Sequence, residues 1–236
     1  DAIETISMFS NKLESLRVIP YPEVCMAILE RNGKEIGAYK LAKNFNPEAI
    51  NSDVANQALR QDLRCIACIP EGVQHDITLS EQEIRDIKFI SKDSEYVNKF
   101  ERLPDERKTE NVCLVAVGIV PFNLDRVPKT SRSDRVIEKA LDANGNVLLC
   151  LPMEERTDAR QLLAIKNMQR DSEDLFEQFP DRLKTEEICI HAATRCPATL
   201  DNIPLELLTP EVCQAAISTI TNYEEEIEIL CLIPHK

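Results

Sequence analysis

An apolar residue followed by proline recurs along this chain, and that dipeptide constrains the fold more than any other feature. It stands at Ile19-Pro20, Ile69-Pro70, Leu103-Pro104, Val127-Pro128, Leu151-Pro152, Phe179-Pro180, Ile203-Pro204 and Ile233-Pro234, with Asn46-Pro47 filling the first long gap. Successive prolines lie 27, 23, 34, 24, 24, 28, 24 and 30 residues apart. Five residues after the proline comes a hydroxyl: Ser52, Thr109, Ser133, Thr157, Thr185 and Thr209. Ser80 takes this part where residues containing Gly72 are inserted after Pro70. Seven residues further on stands Ala116, Ala140, Ala164, Ala192 or Ala216, with Leu59 and Ile87 in two earlier units. Three landmarks in one register make a repeat, and this period is that of stacked supersecondary units.

Each unit has a physical reading. The Thr or Ser is a helix N-cap. Asp53, Glu81, Glu110, Asp134, Asp158 and Glu186 follow it directly and set negative charge at the positive helix end. Thr209-Pro210 places Pro at the first helical position, where its missing N–H is harmless. Ser80 with Glu83 forms a capping box. Apolar residues then follow at helical spacing, as in Val112, Cys113, Ala116, Val117 and Val120. An Ala fixed in register predicts close packing, because a larger side chain would overfill the contact. A turn and a shorter apolar helix, such as Leu124 to Val127, lead to the next Pro, which pushes the residue before it out of helical geometry.

A helix pair of about 24 residues cannot bury its own apolar face, whereas stacked neighbours can. The expected fold is all-α, a solenoid of about nine short helix-pair repeats of roughly 24–30 residues. The expected organisation is one array over residues 1–236, with repeats ending near Pro20, Pro47, Pro70, Pro104, Pro128, Pro152, Pro180, Pro204 and Pro234. The chain starts at Asp1 and stops two residues after Pro234, without polar capping units, and so reads as a piece of a longer array.

Lys184-Thr185-Glu186-Glu187-Ile188-Cys189, Thr209-Pro210-Glu211-Val212-Cys213 and Thr109-Glu110-Asn111-Val112-Cys113 resemble the core of a short tandem repeat family of unknown function. That family occurs in bacteria, including pathogens that deliver effectors into host cells, and in large DNA viruses. The resemblance runs from Pro20 onward and is strongest from Pro104 to Pro234. It implies a multi-repeat protein of effector type, placed in the host cytosol if delivered, and carries over no chemistry.

Composition limits the partners. A formal net charge of −13 opposes binding to nucleic acid or to anionic membranes. No run of about 20 apolar residues is present to span a membrane. The 43% hydrophobic content supports a folded core. Cys25, Cys113, Cys189 and Cys213 sit in apolar helical runs and read as small buried hydrophobes in a reducing, cytoplasmic-type compartment.

The candidate sites have bland readings beside them. Cys189, His191 and Cys196 suggest zinc, but Cys189 aligns with Cys113 and Cys213, and Cys196 with Val120, so both read as core positions. Cys65 and Cys68 form a Cys-x-x-Cys with no second pair and no nearby His. The histidines are His75, His191 and His235, and only Cys189 with His191 merits consideration as a nucleophile pair. Glu224-Glu225-Glu226 reads as a solvated helix face, and Gly145 as a tight turn. No catalytic residue, cofactor or metal ligand is assigned.

The residue before the N-cap is a cation in four successive units: Lys108, Arg132, Arg156 and Lys184. Equivalent positions in a solenoid stack into a row, which could hold an acidic or phosphorylated partner segment. The alternative is that these cations pair with nearby acids such as Asp105 and Asp181. The expected function is a non-catalytic protein-protein interaction scaffold. Two other readings are a targeting or regulatory segment of a larger enzyme, and a Cys-dependent enzyme.

Overall fold

The computed structural model describes residues 21–33, 37–91 and 98–219. Pro20, Pro234, Cys231, His235 and the Glu224-Glu225-Glu226 run lie outside them. The described residues are helical, with no strand among them. The α-helices are α1 (Pro22–Asn32), α2 (Ala38–Ala42), α3 (Ser52–Gln61), α4 (Glu81–Ile90), α5 (Glu110–Ile119), α6 (Asp134–Ala143), α7 (Asp158–Lys166), α8 (Glu173–Glu177), α9 (Glu186–Arg195) and α10 (Pro210–Ile217). They fall into two compact units divided between Val120 and Pro121.

The repeat is visible in the backbone. Pro104, Pro128, Pro152, Pro180 and Pro204 each open a three-residue 3-10 turn. In each case the proline carbonyl accepts from the N–H three residues on, at 2.8–3.0 Å. The proline stands just before the turn as its cap, in extended geometry at ψ 133° to 155°. The next residue is Lys108, Arg132, Arg156 or Leu208, at φ −81° to −86° and ψ 62° to 69°, the geometry of an inverse γ-turn. Thr157 N–H to Glu155 O at 3.0 Å and Thr209 N–H to Leu207 O at 2.9 Å close two of these turns. Lys184 occupies the same slot at φ −71° and ψ 110°.

The cap follows. Ser133, Thr157, Thr185 and Thr209 each accept from the backbone N–H three residues on, and Ser80 with Glu83 forms the capping box. Two caps differ from expectation. Asn51, not Ser52, caps α3, because its carboxamide oxygen accepts from Val54 N–H and Ser52 is already helical. Thr109 makes no cap bond; its hydroxyl donates to Glu83 Oε1 at 2.8 Å instead.

The second segment of each unit is shorter than an α-helix. Leu63–Ala67, Phe100–Arg102, Pro121–Arg126, Gly145–Cys150 and Pro197–Asn202 are 3-10 helices, whereas Ala38–Ala42 and Glu173–Glu177 are single α-turns. So few residues ending at a pre-proline position leave little room for i→i−4 bonds.

The core forms on the predicted register. Ala116, Ala140, Ala164, Ala192 and Ala216 are buried, as are Leu59 and Ile87 in the equivalent places. In the first unit α3 packs on α1, and α4 packs on Leu63–Ala67 and α5. In the second, α6 lies against Pro121–Arg126, Gly145–Cys150 and α7, while α9 lies against α10 and Pro197–Asn202. Gly145, read from the sequence as a tight turn between helices, opens the 3-10 helix that follows α6, and its φ is not positive. It makes a close approach: its N–H donates to Asn167 O at 2.9 Å, and its Cα faces the Ala164 carbonyl.

Side chains link each unit to the next at the helix N-termini. Asp134 pairs with Arg160 at 2.5 Å, Asp158 pairs with Arg182, and Glu186 Oε1 accepts from the Thr209 hydroxyl at 2.9 Å. In the first unit Glu83 accepts from Thr109 and Asn111, and the buried Asp86 pairs with Arg107.

Candidate functional site

The four cations before the caps are held mostly by their own chain. Lys108 is buried, with Nζ 2.9 Å from Asp105 and over the Phe100 ring at 5.2 Å. Lys184 repeats this arrangement: its side chain is 5% exposed, Nζ lies 2.8 Å from Asp181 and 5.0 Å from the Phe176 centroid, and it donates to Asn202 O. The chain changes direction just there, through an inverse γ-turn at Lys108 and an extended residue at Lys184, and a long side chain can lie inward along the apolar wall.

The two arginines do something else with the same slot. Arg156 donates from Nε to Leu151 O at 2.8 Å, from Nη2 to Leu149 O at 3.0 Å and from Nη1 to Gln178 Oε1 at 2.8 Å. It thereby satisfies carbonyls that the short 3-10 helix leaves over. Arg132 donates from Nη2 to Val127 O at 3.1 Å, but its Nε–H is buried without an acceptor.

A signal for this difference exists in the sequence. Lys108 and Lys184 each have Asp three residues earlier and Phe eight residues earlier, whereas Arg132 has Lys129 and Leu124 there and Arg156 has Met153 and Leu148. Lys129, Arg132, Ile137, Glu155 and Arg160 line a cavity of about 220 Å³. Lys129 and Arg160 lay outside the predicted row, yet they share this cavity with Arg132.

The thiols are packed. Cys25, Cys65, Cys113, Cys189 and Cys196 are buried, and Cys68, Cys150 and Cys213 half-buried. Burial pushes the Cys25 and Cys189 thiols up to about 11 and Cys113 to about 12, and raises Cys65, Cys68, Cys150, Cys196 and Cys213 as well. An activated nucleophile requires the reverse shift. Cys189 and His191 are two apart on α9, a spacing that puts side chains on different faces. His191 points Nε2 at Lys166 O, 3.2 Å away, so that nitrogen carries the proton. Among the described residues no group of three His, Cys, Asp or Glu side chains is arranged to hold a metal ion.

Thiol chemistry gives a measurable expectation. A thiol at about 11 rather than its ordinary 9.0 has about a hundredfold less thiolate at pH 8. Iodoacetamide at pH 8 should therefore label Cys189 about a hundredfold more slowly in the native chain than in urea, read by peptide mass spectrometry. Stability follows the same shift. The folded thiols keep their protons where the unfolded chain loses them, so their contribution is complete below pH 9 and is lost as pH rises through 11. The urea midpoint should be lower at pH 10 than at pH 8.

Another cavity, of about 450 Å³, is lined by Ser52, Asn56, Val73, Gln74, His75 and Asp76 in the inserted region. Asp76 is held there by its N–H to Asn56 Oδ1 at 2.6 Å and by Arg60 at 3.4 Å. No helix among the described residues is long and apolar enough to cross a membrane. No protein-family model, curated protein or solved structure matches the chain. The fold defines an all-α protein of repeat-like units with mostly buried cysteines.

Proposed function

We propose that this chain is a non-catalytic protein-protein interaction scaffold, a solenoid of about nine repeats belonging to the tandem family its motifs resemble. The observation that carries this reading is the same proline turn and γ-turn preceding α5, α6, α7 and α10, followed by a side-chain cap at the last three. A repeated backbone with variable outward side chains is how arrays of this kind present extended binding faces. The raised thiols and the separated Cys189 and His191 support the non-catalytic part. The acidic or phosphorylated partner segment, the reducing compartment and the effector role belong to the same proposal.

The test uses positions that folding can spare. Met153 and Leu205 both follow a unit-ending proline and are 72% and 77% exposed. A chain carrying Met153→Glu and Leu205→Glu should keep its circular dichroism and melting temperature, since both side chains are exposed. It should lose a partner that the wild-type chain retains from lysate, identified by mass spectrometry and reproduced with the purified partner. Failure of every purified candidate to bind the wild-type chain would reject the scaffold.

A further inference from the structure

We propose that the cavity between Lys129, Arg132 and Arg160 is a binding site for a phosphoryl oxyanion. This deepens the scaffold reading by naming the chemistry one part of the surface would recognise, and it rests on that reading only for the origin of the ligand.

The repeat itself shows what is unusual here. Three residues before the pre-cap slot, the chain places Asp105 and Asp181 opposite Lys108 and Lys184, Met153 opposite Arg156, and Leu205 opposite Leu208. At Arg132 it places Lys129, so two cations meet where other units balance or omit charge. Neither Lys129 nor Arg132 has an ion-pair partner among the described residues. Arg160 brings a third cation from the next repeat. It is fixed by Nη1 to Glu155 O at 2.7 Å and Nη2 to Asp134 Oδ1 at 2.5 Å, and its side chain is only 14% exposed.

Glu155 is the carboxylate on the cavity wall, and Asp134 is already engaged by Arg160. With Arg160 matched by Asp134, the wall carries two uncompensated cations, Lys129 and Arg132, against one carboxylate in a protein whose net charge is −13. Arg132 lines the cavity and its Nε–H is buried without an acceptor, so a turn of the guanidinium toward a bound oxyanion would satisfy that donor. A cavity of about 220 Å³ holds a tetrahedral phosphoryl group with several waters, at roughly 30 Å³ for each water. Guanidinium groups recognise such an oxyanion by directed, charge-assisted N–H bonds, and the lysine adds a point charge.

The ligand is either a phosphorylated side chain of a protein partner or free phosphate, and the arms of the test separate them. The arginine Nε–Hε resonances of the full chain are followed by ¹H–¹⁵N NMR. The titrants are inorganic phosphate, a blocked tripeptide containing phosphoserine, the same tripeptide with glutamate, and sodium chloride at matched ionic strength. The Arg132 Nε–Hε resonance should shift saturably with phosphate and with the phosphoserine tripeptide, and not with chloride. Lys129→Ala, at an exposed position, should weaken that binding about tenfold without changing the melting temperature. Tighter binding of the phosphoserine tripeptide than of phosphate assigns the site to a modified partner, and the reverse order assigns it to free phosphate. A linear drift shared with chloride, or titrations unchanged by Lys129→Ala, would overturn the site. Pull-down failure with these shifts intact would remove the scaffold reading and leave the site standing.

Discussion

Gly145→Ala should be the most damaging small substitution in the described part of the chain. The added Cβ would overlap the Ala164 carbonyl oxygen and stand 2.8 Å from its carbon, and both atoms are backbone. A flexible side chain could rotate aside; the end of α7 cannot. Relief requires Gly145–Cys150 to move off α7, which stretches the Gly145 N–H bond to Asn167 O and disturbs the buried Val147 and Leu148. Overpacking of this kind costs about 3 kcal/mol. For a chain of this size that corresponds to a melting temperature lower by about 6–12 °C, measured by circular dichroism. Gly72→Ala gives the contrast. Its cost is the positive φ of 91° alone, since nothing lies near the new Cβ, and about 1 kcal/mol is expected.

Lys184→Glu should be nearly as severe, although the change exchanges one charged surface-type residue for another. The Lys184 side chain is 5% exposed, donates to Asn202 O and lies over the Phe176 ring. A carboxylate there would face that carbonyl, Asp181 and the negative face of the ring. Leaving an uncompensated buried charge costs about 3–5 kcal/mol. Lys184→Met is the control. It keeps the apolar stem against Phe176 and loses the polar bonds, so about 1–2 kcal/mol is expected, mainly from the unpaired Asn202 carbonyl. Denaturant titration of the two variants orders them. Equal, small effects would show that the lysine is not held as described. The same contacts mean that reversing charge at Lys108 or Lys184 tests folding before it tests partner binding.

Much of the fold was legible because some positions accept few residue types. The alanine register predicted tight helix contacts, and the alanines at those positions are buried. The hydroxyls predicted caps, and Ser133, Thr157, Thr185 and Thr209 serve as caps. Where two cap-forming residues are adjacent, as in Asn51-Ser52, spacing alone could not choose between them. The 3-10 form of the second segments was hidden for a related reason. A six-residue apolar run does not span enough turns to distinguish a period of 3.0 from one of 3.6. For the cation row, spacing left two readings open, a partner-binding stripe and pairing with nearby acids. Lys108 and Lys184 pair with Asp105 and Asp181 and lie over Phe100 and Phe176, residues that accompany the lysines and not the arginines.

The bonds that pass from one repeat to the next have a consequence for how the chain reaches this structure. Glu83 to Thr109, Asp134 to Arg160, Asp158 to Arg182 and Glu186 to Thr209 span 26, 26, 24 and 23 residues. Loop closure over so uniform a distance costs nearly the same each time. Topologies built from contacts this local fold quickly, because no long-range pairing must form before the rest is rewarded. In the proposed solenoid, structure would start at any repeat whose helix has found its neighbour and spread outward, and would melt from an end without collapse of the remainder.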